Sequence, residues 1–326
     1  MLAIYFDGKA AIKEQPRPEP GDGEVLVRVL MAGICGTDLQ VLKGYHDFTG
    51  IMGHEFVGKV GGPEASPWLG KRVVGEINIG CGNCDLCRRG LGRHCRQRRV
   101  LGLKDHDGAF ASYLTLPAAN LHVVPPGVPD EMAVFTEPLA AALRVQETAS
   151  VAPEARVLVV GDGCLGLLSA WVLALTGAEV HLAGHHSEHL KLAQPRGIVT
   201  YLADNLPKGD YDIVVEASGN PTGLELALVR VRPQGAVVLK STYVDRFPLD
   251  PASLVVPEVR LLGSRCGPFP DALRLLQEGL IDPEPLIDRI FLLSQGLEAL
   301  DWAQRPGMLK VLLDCREESS TFKIQS

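Results

Sequence analysis

The sequence predicts an α/β protein of two domains, one rich in β-strands and one built on a doubly wound parallel sheet. A chain of 326 residues is long for one hydrophobic core, which indicates two. Residues 1–125 alternate short apolar runs, such as 24–30, with glycine and proline, and this pattern is typical of β-structure. Beyond about Val145 the pattern becomes strand, glycine turn and helix in repetition, which is typical of a parallel sheet covered by helices.

The apolar runs of the second domain predict its individual elements. Parallel strands are predicted at 156–160, 179–183, 212–216 and 235–239, and at Leu262. The apolar segment 163–175 is too short to span a bilayer, so it predicts a buried helix.

The chain is expected to return to its first domain near its end. A helix begins at Asp271 and leads back to β-like sequence near Val311. We therefore expect residues 144–267 to form the second domain, inserted between the two pieces 1–143 and 268–326 of the first domain.

Composition excludes several classes of protein. A hydrophobic content of 46% with 22% charged residues is typical of a globular protein, neither disordered nor membrane-embedded. The net charge is −7, which argues against a nucleic-acid-binding surface. The first residues lack the basic and then apolar pattern of a signal peptide, and the cysteines, most of which are assigned to metal sites below, suit a reducing cytoplasm. We expect a cytoplasmic protein with no membrane and no nucleic acid among its partners.

The segment 81–95 is the most informative stretch of the chain. It reads C-G-N-C-D-L-C-R-R-G-L-G-R-H-C, and its four thiols are those of Cys81, Cys84, Cys87 and Cys95. Two residues between thiols allow a tight turn to direct both sulfurs at one ion, and Zn²⁺ binds four such ligands in a tetrahedron. Since four sulfurs leave no open position, the sequence predicts a structural zinc lobe over about residues 80–96. The alternative interpretations are two disulfides or four free thiols.

A second set of possible metal ligands is spread over three distant segments. Cys35 lies in Cys-Gly-Thr-Asp, His54 in Gly-His-Glu and Glu137 in Thr-Glu-Pro. A catalytic zinc typically has three protein ligands and an open fourth position. Each residue also has an alternative role without a metal. Cys35 can be a small core residue and His54 a hydrogen-bonded loop residue, and Glu137 can be a charge at a helix N-terminus that the helix dipole stabilises. Neighbouring Asp38 is the natural hydrogen-bond partner of His54, and Glu55 is expected either to approach the metal or to form an ion pair beside it.

A glycine fingerprint directly follows the predicted strand 156–160 and begins a helix. It consists of Gly161, Asp162, Gly163, Cys164, Leu165 and Gly166. Such glycines allow a tight turn and a close approach of the backbone to a pyrophosphate, whose charge the helix N-terminus stabilises. With strands before and beyond it, the fingerprint predicts a Rossmann-type dinucleotide-binding domain, in which these residues other than Asp162 contact the cofactor.

The cofactor preference is predicted from the end of the second strand. An acid at this place usually binds the adenosine ribose of NAD, but this chain has Gly184 followed by His185 and His186. Without a carboxylate the 2′-phosphate of NADP is not repelled, and either imidazole can contact it. We therefore expect NADP to be preferred over NAD. The alternative is that both histidines are ordinary exposed loop residues and that both cofactors are used.

Taken together, the motifs resemble those of a zinc-dependent medium-chain dehydrogenase of the alcohol and polyol dehydrogenase superfamily. The segments G-I-C-G-T-D, G-H-E-F-V-G, C-G-x-C-x-x-C and T-E-P-L-A, followed by the fingerprint, occur in family order over nearly the whole length. Glu137 is similar to the carboxylate ligand of the sorbitol, glucose and threonine dehydrogenase branch, where animal alcohol dehydrogenases have a second cysteine. Thr37 resembles the hydroxyl residue that accepts the proton of the alcohol. The resemblance implies a GroES-like first domain and a homodimer or homotetramer paired near residues 248–259, a stretch whose alternative interpretation is a buried loop within one chain.

The sequence therefore predicts an oxidoreductase with two zinc ions per chain that transfers a hydride between an alcohol and NAD(P), zinc stabilising the alkoxide. The expected substrate is a secondary alcohol, a polyol or a sugar. The alternatives are an NADPH-dependent carbonyl reductase and a non-catalytic NADPH-binding protein.

Two features of the substrate side stay open at this level. Some relatives carry the proton outward through a histidine three residues after the hydroxyl residue, where this chain has Gln40. The proton must then leave through water, through a ribose hydroxyl of the cofactor or through another residue such as His46. Tyr45, His46, Phe48 and Arg265 are candidates for the substrate pocket by neighbourhood alone, and each is as readily structural.

Overall fold

The computed structural model describes residues 1–44, 47–242 and 247–316. The chain forms two compact units. Unit 1 contains Met1–Glu137 and the chain from Leu276 onward, and unit 2 contains Pro138–Leu275. Both predicted domain limits, after residues 143 and 267, therefore lie a few residues inside unit 2.

Short strands dominate unit 1, whereas strands and helices alternate in unit 2. The strands are β1 Leu2–Phe6, β2 Ala10–Glu14, β3 Glu24–Ile34, β4 Gly50–Ile51, β5 Glu55–Gly62, β6 Arg72–Gly75, β7 Asn78–Ile79, β8 Arg99–Val100, β9 Tyr113–Pro117, β10 Leu121–Val123, β11 Arg156–Val160, β12 Glu179–Gly184, β13 Val199–Leu202, β14 Tyr211–Glu216, β15 Val231–Leu239, β16 Arg260–Gly263, β17 Ile287–Leu292 and β18 Lys310–Asp314. The helices are α1 Gly36–Val41, α2 Asp85–Arg88, α3 Asp130–Ala133, α4 Thr136–Ala149, α5 Cys164–Ala174, α6 Ser187–Lys191, α7 Pro221–Arg230, α8 Ala252–Val255, α9 Phe269–Gln277 and α10 Gly296–Ala303.

The largest sheet of unit 1 is centred on the long strand β3. Its strand order is β10-β6-β5-β3-β18-β17, and β9 also pairs with β3. Val25, Val27 and Val29 of β3 are all buried, as expected for a β-branched run at the centre of a sheet. β18 pairs antiparallel with β3, Leu312 lying opposite Gly33, so a strand from the end of the chain completes a sheet begun near its start.

Unit 2 contains a six-stranded sheet in the order β13-β12-β11-β14-β15-β16, and every pairing in it is parallel. β11 coincides with the predicted strand 156–160. The strand order reverses direction at β11, and sheets of this kind bind ligands outside the carboxyl ends of the strands at such a point. The predicted α/β fold class is confirmed.

Three local features of unit 2 differ from the expectations. β13 was not predicted because it lies at the sheet edge, where its Val199 and Leu202 are exposed. Its sequence therefore lacks the continuous apolar run of a buried strand. The segment near 248–259, considered as an edge strand for a partner, contains helix α8, whose Ala252 N–H donates to Asp250 Oδ1 at 3.0 Å, and β16 forms the edge. α4 lies largely in unit 2, where its Ala141 carbonyl accepts a hydrogen bond from Lys240 Nζ at 2.7 Å.

Within the described ranges, no helix is both long and apolar enough to cross a membrane. The apolar segment predicted as a buried helix is α5, and Leu168, Trp171 and Leu173 are buried in it. Its apolar character therefore reflects its place in the core of unit 2.

Candidate active site

The four cysteines of the predicted zinc lobe lie close together in unit 1. Their Sγ atoms all lie within 4.8 Å of one another, Cys84 and Cys95 at 3.8 Å and Cys81 and Cys87 at 4.0 Å. Four thiolates about 2.3 Å from one zinc would be about 3.8 Å apart, whereas bonded sulfurs are about 2 Å apart. The four cysteines are free thiols. The donor set therefore fits a tetrahedral zinc, and the alternative of two disulfides does not describe this geometry.

Three backbone amides prepare two of these sulfurs for a metal. The N–H groups of Cys81 and Gln97 donate to Cys95 Sγ at 3.4 and 3.3 Å, and that of Cys87 donates to Cys84 Sγ at 3.4 Å. These hydrogen bonds lower the pKa of the Cys84 and Cys95 thiols, since they stabilise the thiolate. Burial raises the pKa of Cys87 to about 11, so a bound metal would displace this proton directly.

Cys35 and His54 form the start of a second metal-binding group. Cys35 precedes α1, and its N–H donates to Asp38 Oδ2 at 2.8 Å. His54 Nδ1 lies 3.1 Å from Asp38 Oδ1, and both side chains are buried. With Nδ1 engaged by Asp38, Nε2 is the nitrogen available to a metal. Burial acts to lower the pKa of His54, but the charges of Asp38 and Cys35 outweigh it and hold the pKa well above its usual value.

The glycine before His54 is required by the packing of the loop. Gly53 has φ +93°, and a Cβ there would collide with the ring of Phe110. The close contact with Phe110 fixes the backbone at Gly53 and so the position of the next residue, His54, beside Cys35. Any larger residue at this position would therefore displace a proposed ligand.

Glu55 completes this group in the structure. The ligand atoms of Cys35, His54 and Glu55 all lie within 4.8 Å of one another. Glu55 Oε2 forms an ion pair with Lys310 Nζ at 2.6 Å, and both side chains are buried. Glu55 Oε1 is buried without a hydrogen-bond partner, an arrangement that costs free energy unless a ligand satisfies it. A cysteine, a histidine and an unsatisfied carboxylate oxygen fit a zinc ion.

The other predicted site residues take different places. Thr37 Oγ1 lies 3.8 Å from Cys35 Sγ, close to the group. Glu137, the predicted third ligand, is the second residue of α4 and is buried, but it does not belong to the group of Cys35, His54 and Glu55.

Two of the four candidates for the substrate pocket lie within the described residues. Phe48 is buried in the core, and the carbonyl of Arg265 accepts from Lys240 Nζ at 3.1 Å. Tyr45 and His46 lie outside the described residues.

Lys310 is the residue of this candidate site that sequence reasoning missed. It is buried, and its Nζ also donates to the carbonyl of Ile34 at 3.3 Å. One signal was available in the sequence, a single charged residue inside the apolar run 309–313 of a predicted β-segment. A charge in such a run is buried only when it has a partner, so this lysine indicated a buried ion pair.

The glycine fingerprint adopts the geometry that dinucleotide binding needs. Gly161 has φ +116°, and a Cβ there would lie 2.6 Å from the carbonyl oxygen of Ala217. A Cβ on Gly166 would collide with the carbonyl of Gly161, whereas Gly163, which precedes α5, faces open space. Cys164 and Leu165 begin α5, so the first amides of an eleven-residue helix follow this opening.

The end of β12 differs from the sequence-based expectation. Asp162 places its carboxylate there, and its Oδ2 accepts the N–H groups of His185 and His186 at 2.9 and 2.6 Å. A Cβ on Gly184 would collide with the Asp162 side chain. Asp162 therefore places an acid beside Gly184, where the sequence led us to expect none, and the preference between NAD and NADP stays a prediction.

The comparisons with known proteins agree with this geometry. The family model described as "Alcohol dehydrogenase GroES-like domain" matches residues 21–126. An L-threonine 3-dehydrogenase of Pyrococcus horikoshii is 32% identical over 85% of this chain and 87% of the relative. A sorbitol dehydrogenase of Halalkalibacterium halodurans is 28% identical over 94% of this chain and 96% of the relative. The crystal structure of an alcohol dehydrogenase from Escherichia coli CFT073 complexed with NADH has a TM-score of 0.87 at 28% identity, covering 96% of this chain and 99% of that one.

This chain belongs to the zinc-binding medium-chain dehydrogenase family. It is an enzyme of alcohol oxidation and reduction, and its family uses a nicotinamide nucleotide. The predicted family and enzyme class are confirmed, whereas the roles of the individual site residues stay predictions.

Proposed function

We propose that the enzyme interconverts a secondary alcohol or polyol and the corresponding carbonyl compound, using one catalytic zinc and NAD(P). The observation that carries this proposal is the convergence of Cys35, His54 and Glu55 around an unsatisfied buried carboxylate oxygen. The relatives support the substrate class, since one is named for threonine and another for sorbitol, both of which carry a secondary hydroxyl group.

The residues around the proposed catalytic zinc position its ligands. Zinc bound here would supply Lewis-acid stabilisation of the negative charge that develops on the substrate oxygen. Asp38 fixes the tautomer and orientation of His54. Lys310 holds Glu55 in place through Oε2, while Oε1 has no hydrogen-bond partner. Thr37, next to Cys35, is the proposed acceptor of the alcohol proton, and Gln40 cannot carry that proton onward because an amide does not titrate.

The two carboxylates near this centre have different proposed roles. Glu55 shares its charge with Lys310, which weakens it as a permanent ligand and suits it for ligand exchange. Glu137 follows the start of α4, and the family resemblance supports it as the resident third ligand. One zinc on Cys35, His54 and Glu137 and one on the four-cysteine lobe give the proposed two ions per chain.

Replacing Glu137 by Ala tests this assignment. We expect one zinc per chain instead of two, an unchanged unfolding midpoint, and kcat lowered by at least about a thousandfold, because several kcal/mol of charge stabilisation are lost with the ion. Elemental analysis and steady-state kinetics measure both effects. Glu147→Ala, which removes an exposed carboxylate from the same helix, is the matched control and should keep both ions. Loss of the second zinc from Glu55→Gln but not from Glu137→Ala would make Glu55 the ligand instead.

The reaction itself is tested with a panel of substrates. Zinc-loaded enzyme is offered secondary alcohols, polyols and sugars with NAD and with NADP, and the matching carbonyl compounds with the reduced cofactors, while the absorbance of the reduced nicotinamide is followed. Turnover that disappears with a chelator and returns with zinc supports the proposal. A kcat/KM that is measurable only for carbonyl reduction with NADPH favours the reductase alternative, and no zinc-dependent turnover in either direction favours a non-catalytic binding protein.

A homodimer or homotetramer is proposed as the assembly. Val255 and Val256 at the end of α8 are 72% and 81% exposed, and adjacent apolar side chains on a surface are typical of an interface. These valines lie in the stretch 248–259 to which the family resemblance assigns subunit pairing. Light scattering at micromolar concentration should give at least twice the 35.1 kDa of one chain.

A further inference from the structure

The end of β12 contains an anion-binding position that this chain fills with its own side chain. Two consecutive backbone N–H groups, of His185 and His186, point at one oxygen, Asp162 Oδ2. The His186 Nδ1 lies 3.2 Å from the same oxygen. Consecutive amides and an imidazole that converge on one point form a site for an anion, and the carboxylate of Asp162 is the anion that occupies it.

The position of Asp162 is fixed from both sides. His189 Nδ1 donates to the Asp162 carbonyl at 3.1 Å, which holds the backbone of the loop between Gly161 and Gly163. The absence of a Cβ on Gly184 leaves the space that the Asp162 side chain fills. The Asp162 side chain is mostly buried, with 8% exposed, so its carboxylate is held at the end of β12 and is not a mobile surface charge.

We propose that Asp162 is the residue that selects the cofactor, and that it favours NAD by occupying the site that a 2′-phosphate would need. This inference rests on the dinucleotide binding proposed for the fingerprint. It reverses the preference that the sequence predicts, since the acid comes from the glycine loop and not from the end of the strand.

NAD and NADP would interact differently with the Asp162 carboxylate. A ribose hydroxyl donates hydrogen bonds, and a carboxylate has about four lone-pair positions to accept them, so the Asp162 carboxylate can receive the 2′-hydroxyl of NAD while keeping its bonds to the loop. A 2′-phosphate accepts hydrogen bonds and carries negative charge. It would compete with Asp162 for the amides of His185 and His186, and the two anions would repel each other at close range.

Binding of adenosine fragments tests the proposal without turnover. Adenosine 5′-monophosphate and adenosine 2′,5′-bisphosphate differ only in the 2′-phosphate, and each is titrated against zinc-loaded enzyme by calorimetry. The wild-type enzyme should bind the monophosphate more tightly. In Asp162→Asn the affinity ratio should move toward the bisphosphate by at least about tenfold, because a unit charge close to the phosphate is removed. The ratio of the Kd values of NADH and NADPH should move in the same direction.

The variants are chosen to separate charge from folding. Asn keeps one carbonyl oxygen for the two N–H groups, and Asp162→Ala, which empties the site, should move the ratio the same way. Glu188→Gln is the matched control, since Glu188 is an exposed carboxylate in α6 paired with Lys191 at 2.7 Å, and its ratio should equal that of the wild type. Thermal unfolding verifies that each variant is folded.

Two results would overturn the inference. One is a wild-type enzyme that binds the bisphosphate as tightly as the monophosphate or more tightly, which decides the matter even if the Asp162 variants do not fold. The other is an Asp162→Asn ratio that equals that of Glu188→Gln. Failure of both fragments and of both dinucleotides to bind would instead contradict the dinucleotide site itself. A lack of turnover with normal fragment binding would contradict only the proposed reaction.

Discussion

Replacing Cys84 by Ser is expected to remove the zinc of the four-cysteine lobe and to lower the unfolding midpoint of the enzyme strongly. Cys84 supplies one of the four sulfurs, 3.8 Å from that of Cys95, and its Sγ also accepts the N–H of Cys87 at the start of α2. Between β7 and β8 the lobe contains the four-residue helix α2 and a short 3₁₀ turn at Gly92–His94, so it has little apolar core of its own. Structural zinc contributes about 10–16 kcal/mol of apparent binding free energy in small peptides, and three sulfurs hold it far less well.

The measurement combines elemental analysis with thermal unfolding of zinc-loaded protein. We expect one zinc per chain in Cys84→Ser against two in the wild type, with the catalytic ion retained. Cys266→Ser, which removes a thiol outside both metal groups, is the control and should keep both ions. Two ions and an unchanged midpoint in Cys84→Ser would show that the four cysteines do not form a zinc site.

Replacing Lys310 by Met is expected to destabilise the folded state by about 3–5 kcal/mol, the usual cost of leaving one member of a buried ion pair alone. Glu55 is 1% exposed, so water cannot take the place of the lysine. The Met side chain fills a similar volume, and the Ile34 carbonyl also loses the hydrogen bond from Nζ. The loss of stability therefore reflects the unpaired charge of Glu55 more than a change in packing.

Denaturant unfolding of Lys310→Met, Glu55→Gln and the double variant measures the coupling between the two residues. The double variant should be more stable than Lys310→Met, because Gln leaves no unpaired charge in the core. A single Lys310→Met variant within about 1 kcal/mol of the wild type would contradict the description of this pair as buried and structurally required.

The parts of the site that were predicted from residue spacing alone are those whose geometry is local. The four cysteines lie within fifteen residues, so their spacing alone fixes the type of ligand set. The strand β11 and the fingerprint after it are contiguous, and their prediction required only the order of apolar residues and glycines. Cys35 and His54 come from different segments and were grouped through the family motifs, whereas no motif indicated the pairing of Lys310 with Glu55, which are 255 residues apart.

The cofactor loop shows the same limit within a shorter distance. Asp162 and His185 are 23 residues apart, and each was seen in the sequence, but nothing in the pattern indicated that one bonds to the other. The expectation at Gly184 assumed that an acid at the strand end must come from that strand. A side chain from the preceding glycine loop satisfies the same two amides, and only the three-dimensional arrangement reveals it.

The pairing of β3 with β18 has a consequence for synthesis of the protein on the ribosome. Ile34 and Lys310 are 276 residues apart, and at about 5–20 residues per second β3 waits roughly 14 to 55 s for its partner. Unit 2 is one uninterrupted segment, so its sheet can close while residues 31–34 of β3, the part that pairs with β18, still lack a partner strand on that edge. An unpaired strand edge is a template for pairing with other chains. The nascent chain should therefore be most exposed to aggregation, and most dependent on chaperones, in the interval before its last strand emerges.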